Sequence, residues 1–256
     1  MSHFIYSRDN PTELFRVFQI EHLRDWITGR RLYFPRPQGW EDPFENILLK
    51  QRYHQAGTNI PLDFSDVLDR YFGQCWSNAP NETDATWRIY APAKNGARVC
   101  TTVERMYGAF ERAFEVDLTS DFYICRVDYF EGAAILKRAS LAMQCLEAIQ
   151  DKTAEVPLEL LTVKRPEFEH EQEVRLIFHD KTHISNAGDS FIWIPSDPRE
   201  VITSVTLDPR LDEAVISKLK AEFESALPGI DVKQSTLYHL DSESVPVYLQ
   251  ASRSAT

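Results

Sequence analysis

Apolar and polar positions recur along this chain with two different spacings. From Thr12 to Thr28, Leu14, Phe15, Phe18, Ile20, Leu23, Trp26 and Ile27 return close to every 3.6 residues, which predicts a helix over that span. Gly29 is placed to end it, since a glycine just past a helix accepts the left-handed conformation. Arg31-Leu32-Tyr33-Phe34 then reads as a short strand stopped by Pro35 and Pro37. Further strands are predicted at Tyr71–Ser77, Ala97–Thr102, Asp121–Phe130, Glu171–Phe178, Phe191–Ile194 and Val201–Leu207. Short final strands are expected at Ile230–Val232 and Val245–Tyr248. Helices are predicted at Val103–Glu115, Leu136–Ile149, Leu158–Lys164 and Leu211–Leu227. A short helix carrying Trp87 and Tyr90 is expected to be capped by Thr83 or Asp84.

Helices and strands mix without regular β-α-β alternation. The pattern therefore predicts an α+β fold: a single domain over residues 1–249 with a mixed, mostly antiparallel sheet and flanking helices. The small polar residues 250–256 read as a flexible tail. No repeat and no low-complexity linker interrupts the chain.

Composition narrows the setting. The first residues lack a basic flank followed by an apolar stretch, and no apolar run reaches the roughly 18 residues of a membrane span. Cys75, Cys100, Cys125 and Cys145 lie far apart, which argues against a zinc ribbon or a redox pair and for buried thiols in a reducing cytoplasm. The histidines show no metal-ligand spacing, so no metal is expected. Net charge is −11, from 39 acidic and 28 basic side chains. Stable binding to duplex nucleic acid is disfavoured by that balance, because phosphate neutralisation supplies most of such affinity. Nine glycines form no dinucleotide fingerprint and no phosphate-cradling loop.

Two stretches could carry chemistry. The loop Pro35–Glu45, with three prolines, Gly39, Trp40 and Phe44, either shapes a ligand site or forms an elbow whose aromatics plug the core. In Glu171-x-Glu173-x-Arg175, a strand would put both carboxylates and the guanidinium on one face. Two carboxylates so placed would raise one another's pKa, giving an acid or base near neutral pH. Arg175 would restrain that shift or bind an anionic group. The bland alternative is a solvated edge strand.

Several segments in order carry a resemblance. They are Leu32-Tyr33-Phe34 with Trp40-Glu41-Asp42-Pro43-Phe44-Glu45, Cys75-Trp76-Ser77, Trp87-Arg88-Ile89-Tyr90-Ala91 with Gly96, and Glu171-Gln172-Glu173-Val174-Arg175. Together they resemble the bacterial family catalogued as domain of unknown function 2971, over roughly residues 20 to 235. Glu41 stands where that family has Asn, and Arg88-Ile89 where it has a His-containing motif. The family implies no settled activity.

The glutamate pair is also similar to that of arginine-type ADP-ribosyltransferases, which read in order an Arg on an early strand, a Ser ending a second, and a Glu-x-Glu on a later one. Here Arg30 or Arg31, then Ser77, then Glu171 and Glu173 keep that order. The resemblance implies NAD as substrate, with Glu173 on the ribose and its developing charge and Glu171 taking a proton from the acceptor. An arginine (Arg30, Arg31 or Arg175) would clamp the pyrophosphate, Ser77 would hold the nicotinamide amide, and Tyr90 or Trp76 would stack on a ring. Transfer to a macromolecular acceptor, or NAD hydrolysis, in a toxin or phage-defence effector is the first functional reading. A non-enzymatic sensor or protein-interaction module, docking through Trp40/Phe44 and Trp87/Tyr90, is the second.

Overall fold

A computed structural model describes residues 5–40, 42, 44–45, 47, 52–55, 57–62, 68–114, 121–148, 155–181, 185–186 and 188–240. The strand expected at 245–248 and the tail at 250–256 lie outside the described residues.

The span predicted as one helix begins as a strand. β1 (Glu13–Gln19) pairs residue for residue with β6 (Gly96–Thr102), and only then does α1 (Ile20–Gly29) start. The apolar residues at 14, 15, 17 and 18 mimic a helical stripe because β1 is an inner strand with side chains packed on both faces. α1 ends at Gly29 as expected, but the left-handed residue that stops it is Arg30, at φ 46°, which donates its N–H to Trp26 O. β2 (Arg31–Pro35) follows, as the sequence predicts.

After the small hairpin of β3 (Tyr53–His54) and β4 (Pro61–Leu62) come β5 (Tyr71–Ser77) and α2 (Asp84–Tyr90). Thr83 caps α2 by accepting the N–H of Thr86. Beyond β6 lie α3 (Val103–Ala113), β7 (Asp121–Arg126), β8 (Asp128–Tyr129) and α4 (Gly132–Ala148). The helix expected over 158–164 ends earlier: α5 (Glu155–Leu160) turns into β9 (Val163–Lys164), which pairs with β8. A 3₁₀ turn, Pro166–Glu171, precedes β10 (Glu173–His179). Then follow β11 (Phe191–Pro195), α6 (Pro198–Val201), β12 (Ser204–Leu207), α7 (Glu213–Ala226) and β13 (Asp231–Gln234).

Seven strands form one sheet in the order β13-β12-β6-β1-β5-β10-β7, antiparallel except for the β12–β13 pair. The α+β, mostly antiparallel reading therefore holds. One sheet face is covered by α1, α3, α7 and the β2–β11 ribbon, whose Trp26, Phe34, Phe110, Ile194 and Phe223 meet Leu14, Phe72, Leu176 and Phe178. Against the other face, α4, α5 and β9 bury Ile135, Leu158, Leu161 and Val163 beside Ile177 and Cys125. Trp40 and Phe44 pack on this second cluster, so the proline-rich loop is an elbow that plugs the core. Trp40 lies over Gly73, where a Cβ would stand 2.9 Å from its ring; only glycine leaves room there. Among the described residues no helix is long and apolar enough to cross a membrane.

Candidate active site

The centre of the sheet opens at one place. β1 and β5 pair only at Phe15↔Ser77, whereas β10 runs along the whole of β5 and starts at Glu173↔Ser77. Phe15, Ser77 and Glu173 thus occupy one rung across three neighbouring strands, with side chains on one face. A cavity of about 150 Å³ lies there, enough for one aromatic ring. Phe15, Val17, Ile89 and Tyr90 supply its apolar walls. Arg16, Arg98, Glu171 and Glu173 supply its charges, and His170 also lines it.

Glu173 is buried, with no partner left to chance. Its Oε1 accepts from Arg175 Nε at 2.8 Å, and its Oε2 from Arg175 Nη2 and Lys164 Nζ, each at 3.1 Å. Lys164 also reaches Glu171 Oε2 at 2.6 Å and Glu45 Oε1 at 3.1 Å. Arg175 completes its set with Glu45 Oε1 and Leu161 O, both at 2.6 Å, and lies under the Trp40 ring at 4.2 Å. Three carboxylates thus share two cations.

Burial acts to raise the Glu173 pKa, but the Arg175 guanidinium and Lys164 outweigh it and hold the carboxyl at about 2. Glu173 is therefore an anion at neutral pH, the reverse of the mutual elevation expected from two adjacent carboxylates. Lys164 stands between the two and removes their repulsion. Burial lowers Lys164, yet Glu173, Glu171 and Glu45 carry it well above the ordinary lysine value. Burial first, and then the negative Glu173, push the Cys75 thiol far up, so it stays protonated. Tyr90 is likewise raised, by burial and then by Glu171.

Glu171 is not on the strand with Glu173. It closes the 3₁₀ turn, and Gln172, left-handed at φ 42°, redirects the chain into β10. The two carboxylates come together through this turn and not through strand alternation. Ser77 secures it: its Oγ donates to Glu171 O at 2.7 Å and accepts from Ala79 N at 3.1 Å.

The remaining predicted residues are distributed differently. Tyr90 lines the cavity from α2. Trp76 touches its wall, but the indole belongs to the core, edge-on to Phe18 and donating to Gln74 Oε1. Arg175 is fully buried behind Glu173. Neither Arg30 nor Arg31 lines the cavity: Arg30 points toward Asp197, and Arg31 lies over the exposed Trp193 ring at 4.5 Å.

The cations at the cavity are Arg16 and Arg98, which sequence reasoning missed. Arg16 donates to Cys75 O at 2.7 Å across the opening, and burial pulls its pKa down. Arg98 packs over the Phe15 ring at 3.8 Å and donates to Ala79 O and Pro80 O. The available signal was a lone charge inside the run Leu14-Phe15-Arg16-Val17-Phe18, obscured by reading that run as a helix. Among the described residues no group of three or more His, Cys, Asp or Glu side chains could hold a metal ion.

No protein-family model matches the chain, and no curated protein does. Solved structures similar to it include Thermus sp. 2.9 DarT in complex with NAD+, at 12% identity and a TM-score of 0.38, covering 90% of this chain and 98% of that one. The same protein in complex with ADP-ribosylated ssDNA aligns at 12% identity and a TM-score of 0.37, covering 90% and 97%. The carba-NAD+ complex aligns at 10% and 0.37, covering 89% and 97%. At such scores function has to be argued from this chain's own residues.

Proposed function

We propose that the chain is an ADP-ribosyltransferase-like enzyme that cleaves NAD and passes ADP-ribose to a macromolecular acceptor or to water. The observation that carries this reading is the rung Phe15–Ser77–Glu173 at one cavity, with an ionised Glu173 and the β1 cation Arg16 beside it. Arginine, serine and glutamate, each on a successive neighbour in the order β1-β5-β10, satisfy the arginine-type pattern better with Arg16 than with Arg30 or Arg31.

The chemistry follows from the walls. Phe15 and Tyr90 flank a space for the nicotinamide ring, with Ser77 at its floor holding the Glu171 turn. Arg16 and Arg98 offer positive charge to the pyrophosphate. Glu173, kept anionic, stabilises the oxocarbenium-like charge that builds on the ribose as the glycosidic bond breaks. A role as a cytoplasmic toxin or phage-defence effector, within the domain of unknown function 2971 family, belongs to the same proposal.

The test is nicotinamide release from NAD by the purified protein. Glu173→Gln, checked for folding by circular dichroism, should lose about 100-fold or more in rate. No release and no NAD binding by the wild type would reject the enzyme. One observation favours an interaction module, though not through the predicted Trp40, Phe44 and Trp87, which pack inside: Tyr33, Phe191 and Trp193 are 42%, 39% and 39% exposed in mutual ring contact on the β2–β11 ribbon.

A further inference from the structure

The proton of the acceptor needs a destination, and Glu171 is poorly placed to provide it: its Oε2 is held by the Lys164 ammonium at 2.6 Å. The preceding residue, His170, lines the same cavity from the exposed rim of the 3₁₀ turn. Its Nδ1 lies 3.1 Å from Glu167 O. A carbonyl oxygen can only accept, so in the neutral ring Nδ1 carries the hydrogen and Nε2 keeps its lone pair. A backbone carbonyl that fixes the tautomer also fixes the ring, as an orienting partner does for a general base.

The turn that carries His170 is anchored from several directions. Ser77 Oγ donates to Glu171 O, Gln172 donates its N–H to Glu169 O, and Asn78 donates its N–H to Gln172 O. Lys164 ties the turn to β9 and to Glu173. His170 is thus solvent-accessible yet held on a fixed frame, where an incoming acceptor would meet the site.

We infer that His170, and not Glu171, is the general base of the transfer step, an assignment that rests on the NAD-cleaving reading above. The acceptor heteroatom forms a bond to the ribose C1′ as the C1′–nitrogen bond to nicotinamide breaks. That bonding pair returns to the ring nitrogen and neutralises its charge. The acceptor's proton passes to His170 Nε2, and the imidazolium later releases it to solvent. No oxidant or co-reactant is needed. The groups that surround His170 are Glu167, Glu169 and Glu171 on its own turn, and Tyr90, Glu173 and the cations Arg16 and Arg98 across the cavity.

The experiment uses the full chain with NAD, water being the acceptor, and reads nicotinamide release against pH together with NAD binding. With a histidine base, kcat should show an acid limb that depends on the His170 imidazole. His170→Gln should lower kcat by about 100-fold and abolish that limb, leaving the Kd for NAD within about twofold. Added imidazole should restore part of the rate to His170→Ala. If His170→Gln keeps wild-type kcat and limb, the inference falls while the enzyme reading stands. It falls equally if Glu171→Gln removes the limb and His170→Gln does not, or if His170→Gln changes only NAD binding. A wild type that neither binds nor cleaves NAD overturns both.

Discussion

On one face of the sheet Leu14, Phe72, Val174, Leu176 and Phe178 are fully buried among carbon atoms. On the other face, at alternate positions of the same strand β10, Glu173 and Arg175 are just as deeply buried, but among charges. Both sets of side chains are buried, and they are made stable by different physics. Apolar burial is non-directional and tolerates shape-conserving change. Burial of ions is acceptable only while each charge keeps its partners, because removing one leaves the rest desolvated and unpaired. The charged face also borders the cavity, and under the proposed reading it supplies what an apolar face cannot: a carboxylate held anionic beside a reacting sugar.

This contrast can be broken most directly on adjacent residues. Arg175→Ala should destabilise the protein by about 3–5 kcal/mol, since Glu173 and Glu45 lose their main partner. Adding Glu173→Gln should then cost less than the two single changes together. Leu176→Ala, on the apolar face, should cost about 3 kcal/mol and add to Glu173→Gln within about 0.5 kcal/mol. Urea unfolding midpoints of the single and double variants decide the matter; strict additivity on both faces would mean that the charges do not act as a unit.

The next effect is smaller and is read by pH. Glu173 has a folded pKa of about 2 against an ordinary 4.5, so on acidification the unfolded chain takes up its proton first. Its contribution is complete above pH 4.5 and is lost as pH falls toward 2, a change on the order of 3 kcal/mol. Stability measured between pH 6 and 2.5 should decline less steeply in Glu173→Gln than in the wild type. Equal slopes would place the acid sensitivity elsewhere.

The smallest effect calibrates the comparison. Arg24 makes a bidentate pair with Glu222, at 2.6 and 2.8 Å, between α1 and α7, and both side chains are more than a third exposed. Breaking it with Glu222→Gln should shift stability by no more than about 1 kcal/mol, and less in high salt. A loss comparable to that of Arg175→Ala would show that burial is not what distinguishes the inner cluster.

Tyr71–Ser77 and Gly96–Thr102 could be read as strands from the turn residues that bound them, Thr83 as a cap, and α3 and α7 from their amphipathic stripes. β1 could not. Consecutive buried positions leave its apolar run with no period to betray a strand, and Arg16 went unnoticed within it. The break at Gln172 was equally hidden, since a left-handed residue other than glycine or asparagine leaves little local trace.

The α+β class and most of the strands could be read from the chain's own pattern, which also singled out the glutamate pair and Ser77, residues that line one cavity. Three-dimensional packing was needed to show that Arg16 and Arg98 line that cavity, that Lys164 lies between the two glutamates, and that Arg175 is buried behind Glu173. The reason is physical. Periodicity records which side of an element is buried, whereas the partner of a charge is set by contacts as distant in sequence as Glu45 and Arg175, which no local spacing encodes.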